Sequence, residues 1–210
     1  MTFFEPESRD KGVFPWDPFK GVVAPRPIGW ISSMSKAGQV NLAPYSFFNG
    51  VASRPRLVMF ASESEKDAAA FAIESGEFAW SMATWELRGQ MNLTSEGLPR
   101  GRSEFEYAKL ATAPCRIVKA PRVAASPAAM ECKVTQVLRL KDLDGRDTGG
   151  VVVYGQVVGM HIDERFMKKG RFDLAAAQPI ARCGYDEYAV IDKVFAMQRP
   201  ASGGSAHGAP

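Results

Sequence analysis

The chain has 210 residues, 46% of them hydrophobic and 23% charged, and 26 Lys and Arg against 23 Asp and Glu leave a net charge of +3. That balance supports a sizeable core in one large domain; it excludes wholesale disorder and lacks the concentrated positive field of a dedicated nucleic-acid binder. Cys115, Cys132 and Cys183 stand far apart with no C-x-x-C pair, which argues against structural disulfides and a cysteine-rich metal site and for reduced thiols.

Residues 1–18, rich in proline and charge, read as an irregular N-terminal arm ahead of a domain over 19–198. The arm is charged early and has no apolar h-region, so no secretory signal is expected. With no apolar run near the ~20 residues that span a bilayer, no membrane association and a cytoplasmic location are expected. In GVVAPRPIGWISSMS (21–35), Pro25 and Pro27 interrupt a β-like alternation, predicting an edge strand or one entering through a bend. KAG at 36–38 turns the chain, so QVNLAPYSFFNGV (39–51) returns as the second strand of a hairpin, with Pro44 ending the ladder locally. RLVMFAS (56–62) is a buried strand by its continuous apolar run. Ser64 and Asp67 form an S-x-x-D cap for a helix of about ten residues that Gly76 stops.

EFAWSMA (77–83) follows as another strand, and residues 86–114 read as helix and loop, with Ser103 and Glu106 as a second cap. Cys132, Val134, Leu138 and Leu140 alternate with polar residues, predicting a half-buried strand. DLDGRD (142–147) turns it into GGVVVYGQVVGMHI (149–162), a long strand buried on both faces whose Gly155 and Gly159 permit a bend or a close approach. YAVIDKVFAM (188–197) is ambiguous, and RPASGGSAHGAP (199–210) reads as a disordered tail. Many strands in hairpins with few helices predict a mainly β protein, an antiparallel barrel with helical insertions.

The chain contains no G-x-G-x-x-G, no G-x-x-x-x-G-K-[ST], no H-E-x-x-H and no G-x-S-x-G. Only His161 and His207 are present, so no metal site is expected. The shortage of acid–base machinery points to chemistry carried by a cofactor. Four stretches could build its site: Arg26 with Ser32 and Ser33; the strand around Pro44; Ser62, Ser64 and Lys66 beside a helix N-terminus suited to phosphate; and His161. Each also has a plain structural reading: a solvated lysine, capping serines, core phenylalanines, a strand-end histidine. Short basic clusters such as RPR, RGR and KKGR leave a single-strand-binding barrel as a rival reading, and solvated surface is their ordinary role.

Taken together, P-R-P-I at 25–28, N-x-A-P-x-S-x-F-N at 41–49 and K-D at 66–67 resemble the flavin reductase-like family, and the likeness extends over about residues 20–200. The resemblance implies a Greek-key split β-barrel that forms homodimers and binds FMN, or FAD, in a groove beside the dimer interface. It implies flavin contacts from Ala43, Pro44, Tyr45, Ser46 and Asn49, ribityl and phosphate contacts from Ser32, Ser33, Ser62 and Lys66, and added charge from Arg26. Many relatives place Thr after K-D, where this chain has Ala68. His161, in a G-x-H-I-D pattern, is expected near the flavin or the substrate as the candidate catalytic residue. The implied activity is hydride transfer from NAD(P)H, a transient co-substrate, to flavin and on to an acceptor or a partner monooxygenase. A protein that keeps its FMN for a dedicated small substrate, and a non-catalytic flavin carrier or sensor, are the alternatives. Trp16, Phe19 and Trp30 are candidates for apolar dimer-interface area.

Overall fold

The computed structural model describes residues 1–198 and 200; His207 and, apart from Pro200, the expected tail lie outside the described residues. The framework is one seven-stranded antiparallel sheet. Its strands are β1 (Gly29–Met34), β2 (Val40–Tyr45), β3 (Phe48–Ser53), β4 (Arg56–Ser62), β5 (Glu77–Ser81), β6 (Ala128–Lys141) and β7 (Asp147–Ile162). Helix α1 (Asp67–Ser75) lies between β4 and β5, and α2 (Arg88–Leu93) follows β5. The strand order is β2-β1-β5-β6-β7-β4-β3.

This order forces curvature. The edge strands β2 and β3 are consecutive in the chain and joined only by Ser46 and Phe47, so the sheet must curl until its edges meet. Near that seam, a Cβ added to Gly29 of β1 would lie 2.8 Å from Phe48 of β3, and the Phe48 ring stacks on Trp80 of β5 at 5.7 Å. The result is an antiparallel barrel split between β2 and β3. Inside it, Ile31, Tyr45, Phe48, Phe60, Phe78, Val151 and Val153 pack against Ala68, Ala69 and Ala72 of α1. A second cluster forms on the other face of β1 and β2, where Trp30 and Leu42 meet Met91, Phe105 and Ile180. Removal of each such side chain from water contributes about 1.5–3 kcal/mol.

Local chemistry explains the elements and the departures from expectation. β1 is an interior strand rather than an edge, paired with both β2 and β5. Prolines 25 and 27 fall before it, and the two-residue strand Arg26–Pro27 joins a separate sheet with Ile180–Arg182 and Tyr188–Val190. Trp30 is fully buried and donates to Thr94 Oγ1 at 2.9 Å, so it supplies core, not interface. Pro44 does not end its ladder: it pairs in register with Trp30, and the strand runs on to Tyr45. Helix α1 has Lys66 at its N-cap with no side-chain cap, so Ser64 does not fill that role; Gly76 ends it in the left-handed region at φ 74°. Gly155 is the expected close approach, since an added Cβ would sit 2.5 Å from the Phe78 ring. β7 is buried only over residues 150–153 and at Gly155, and β6 is largely exposed beyond Cys132. No helix among the described residues is long and apolar enough to cross a membrane.

Candidate functional site

A cavity of about 540 Å³ opens at the seam of the barrel, within the size range of small-ligand sites. Three segments line it: the β2–β3 crossover from Ala43 to Phe47, the end of β4 with the start of α1, and the loop after α2 with Glu104. β2 pairs with only one strand, so its outer row of backbone groups faces away from the sheet. The Leu42 N–H on that row donates to Glu104 Oε2 at 3.0 Å. By the two-residue period of a strand, residue 44 points the same way, and proline there leaves an acceptor without a stray donor.

Lys66 is the cation of this cavity that enters no ion pair among the described residues, because Lys20 meets Glu63 at 3.0 Å and Arg100 meets Asp67 at 2.7 Å. It stands at the uncapped N-terminus of α1, where orphan N–H groups and the helix dipole favour an anion. Ser46, Ser62 and Ser95 add hydroxyls. The buried Asn41 Oδ1 has no partner, while its Nδ2 donates to Glu104 Oε1 at 2.9 Å. Burial raises the pKa of Glu104. Burial also pushes the Tyr45 phenol up to about 12, with Ser62 and the Ala69 backbone offsetting part of that. Phe47 forms a wall, with Lys20 Nζ 5.7 Å from its ring centroid, whereas Phe48 belongs to the core.

The structure therefore brings Ala43, Pro44, Tyr45, Ser46, Ser62 and Lys66 to one cavity. Arg26, Ser32, Ser33, Asn49 and His161 do not line it. Arg26 is buried and donates to the carbonyls of Lys20, Val23 and Cys183, binding the entry segment to the chain near residue 183. Ser32 is buried in mid-sheet, and Ser33 Oγ donates to the Ala68 carbonyl at 2.9 Å, tying β1 to α1. Asn49 Oδ1 accepts from the Gly50 N–H at 2.8 Å on an exposed stretch of β3. Sequence reasoning left Asn41, Ser95, Arg100 and Glu104 unassigned. Asn41 shares a strand face with Ala43 and Tyr45, a usable signal; the loop residues offered none.

His161 lies at a different cavity, with Nε2 2.7 Å from Glu131 Oε1. Burial would raise the Glu131 pKa, but the N–H groups of Arg116, Val118 and Ile117 and the His161 ring outweigh it and hold the carboxyl at about 2. Cys115 completes a cluster whose ligand atoms lie within 4.8 Å of one another. Its thiol is pushed up to about 11 by burial and by Glu131, and Glu131 is already saturated with donors. Glu131 and its donors form a hydrogen-bonded lock that ties residues 116–118 and His161 to β6.

A model of the flavin reductase like domain matches residues 23–174. The chain belongs to that family. This flavin reductase-like chain is 32% identical over 185 residues to protein BH2278 of Halalkalibacterium halodurans, covering 86% of this chain and 88% of the relative. Among solved structures it is similar to nitrilotriacetate monooxygenase component B from Bacillus cereus, with a TM-score of 0.85, 29% identity, and 94% and 98% of the two chains covered. It is also similar to the 2-nitrobenzoate 2-nitroreductase NbaA of Pseudomonas fluorescens, with a TM-score of 0.82, 26% identity and coverage of 98% and 100%. A split-barrel structure from Shewanella frigidimarina at 19% identity, with a TM-score of 0.82, shares the fold.

Proposed function

We propose that this flavin reductase-like chain binds FMN in the seam cavity and works as an oxidoreductase, with NAD(P)H as a transient co-substrate. The observation that carries the reading is Lys66, outside any described ion pair, at the uncapped start of α1, beside a strand edge whose outer acceptors are open. The residues fit the group: Asn41, whose buried Oδ1 has no partner, lines the same cavity as the hydroxyls of Ser46, Ser62 and Ser95 and the cation. FMN, once bound, supplies hydride acceptance at N5 and onward electron transfer.

The chain's own residues would bind and orient. Lys66 and the first N–H groups of α1 would hold the phosphate, with Ser62 and Ser95 on the ribityl side. Backbone groups of Ala43 to Ser46 would meet the polar edge of the ring, and Phe47 would close one wall against water. Arg26, Ser32 and Ser33 would act behind this layer, by fixing β1 and the entry segment. By holding the nicotinamide and flavin rings in alignment, these walls would remove entropy from the barrier to hydride transfer. Having no dinucleotide fingerprint, the chain would take NAD(P)H only over the bound flavin. The electrons would pass to an acceptor or a partner monooxygenase, a reading that the likeness to a monooxygenase component supports. The likeness to a nitroreductase supports the second reading, in which FMN stays bound and reduces a dedicated small substrate.

The test is the absorbance spectrum of the purified protein with FMN, followed by anaerobic addition of NADH or NADPH. Uptake of FMN and bleaching of its absorbance are expected. A protein that neither retains nor bleaches FMN sinks the proposal, and FMN that survives gel filtration while free flavin stays oxidised favours the second reading.

A further inference from the structure

A second cavity, of about 510 Å³, lies between α2 and the strands Ile180–Arg182 and Tyr188–Val190. Its floor is apolar: Met91 and Ile180 are buried members of the core, and Val190 packs against them. Two arginines stand at its rim, each on an aromatic face. Arg88 Cζ lies 3.8 Å from the centroid of Trp85, and Arg182 Cζ lies 4.6 Å from that of Tyr188. Such stacking holds a guanidinium plane in place while leaving part of its donor fork for a ligand. Arg88 donates to the Trp85 carbonyl, and Arg182 donates to the Tyr185 carbonyl with its Nη2 also 3.7 Å from the fully exposed Asp186 carboxylate, so Arg88 has the freer fork.

Gly89 is the second, independent observation. It lies inside α2, where glycine is among the poorest helix formers, and it faces this cavity. The two usual structural reasons for glycine are missing. Its φ is not positive, and an added Cβ would meet no atom within 4 Å. What the missing side chain preserves is the open space of the cavity.

We propose that this cavity binds a small aromatic carboxylate. A flat ring fits the apolar floor between Trp85 and Tyr188, and a carboxylate matches the planar arginine forks. The charges of Arg88 and Arg182 against that of Asp186, which also lines the cavity, leave +1, suited to a monoanion rather than a phosphate dianion. The site is separate from the seam cavity, and Gly89, Arg88 and Arg182 line only the former.

The test is calorimetric titration of the full chain with benzoate in excess FMN, with benzyl alcohol as the neutral control. Saturable benzoate binding is expected, with no saturation by benzyl alcohol. Gly89→Leu should abolish it while the Tm holds or rises, since leucine is the better helix former and fills only the cavity. Should Gly89→Leu fold poorly, the exposed Arg88→Gln carries the test, with affinity expected to fall about ten-fold or more. Absence of saturable benzoate binding, equal binding of benzyl alcohol, or wild-type affinity in the folded variant used would overturn the proposal.

Discussion

Lys66 and Glu131 represent two ways for a single charge to matter. Lys66 is exposed and belongs to no described ion pair, so its removal should leave the fold intact. A charge-assisted contact to phosphate is worth about 1.5–3 kcal/mol, so Lys66→Met should weaken FMN binding about ten-fold or more without moving the Tm. A flavin-fluorescence titration measures this, and unchanged affinity would remove Lys66 from the phosphate site. Glu131 is the opposite case, buried and holding three backbone N–H groups together with His161. Its carboxyl is depressed from 4.5 to about 2 in the folded protein. The stabilisation is therefore fully present above about pH 4.5 and drains away as pH falls toward 2, to a total of about 3 kcal/mol. Glu131→Gln should lose most of that stability at pH 7 in urea melts, and the gap to wild type should narrow at pH 3. An equal gap at both pH values would contradict this account of the residue.

Among the elements, β7 shows how tightly the barrel wall is built. Gly155 lies where β6, β7 and the Phe78 ring converge, leaving no room for a methyl group. Gly155→Ala should destabilise the protein by about 1–3 kcal/mol through overpacking, read as a lower urea midpoint. Helix α1 depends on Gly76, whose positive φ caps the last turn with its N–H on the Ala72 carbonyl. Gly76→Ala should cost about 1 kcal/mol for the left-handed backbone alone. At β2 the backbone chemistry bears on the seam cavity. Proline at an outward position hinders the open edge from pairing with another strand, while adding no N–H donor beside the outward carbonyls.

On the scale of the whole molecule, the barrel alone leaves apolar surface unexplained. Leu138 and Leu140 share one face of β6 and are more than a third exposed, and Leu143 is exposed at the tip of the β6–β7 hairpin. This is the surface we propose for the homodimer that the family resemblance implies. Sedimentation should give twice the 22.9 kDa chain mass, and Leu138→Glu should shift the protein to monomer with its fold retained. A wild-type chain that sediments as a monomer at micromolar concentration would contradict this assembly.

Elements governed by short-range rules were legible in the sequence. The β1–β2 hairpin at KAG, the apolar run of β4, the glycine stop of α1 and the alternation in β6 each depend on residues a few positions apart. The same locality marked Ala43 to Ser46 as a candidate ligand segment, since proline, aromatic and hydroxyl residues follow one another there, and the structure sets them along the seam cavity. Which side chains face the cavity depended on something else. Arg26 turns into backbone carbonyls reaching as far as Cys183, Ser33 bonds to α1, and His161 pairs with Glu131 thirty positions away. Asn41, Arg100 and Glu104 meet at the cavity for the same reason. The sequence by itself determined the strands, the turns and the chemistry available on β2. Only the tertiary structure, by curling the sheet until its two edges met, decided which of those groups converge, because that closure depends on packing between residues far apart in the chain.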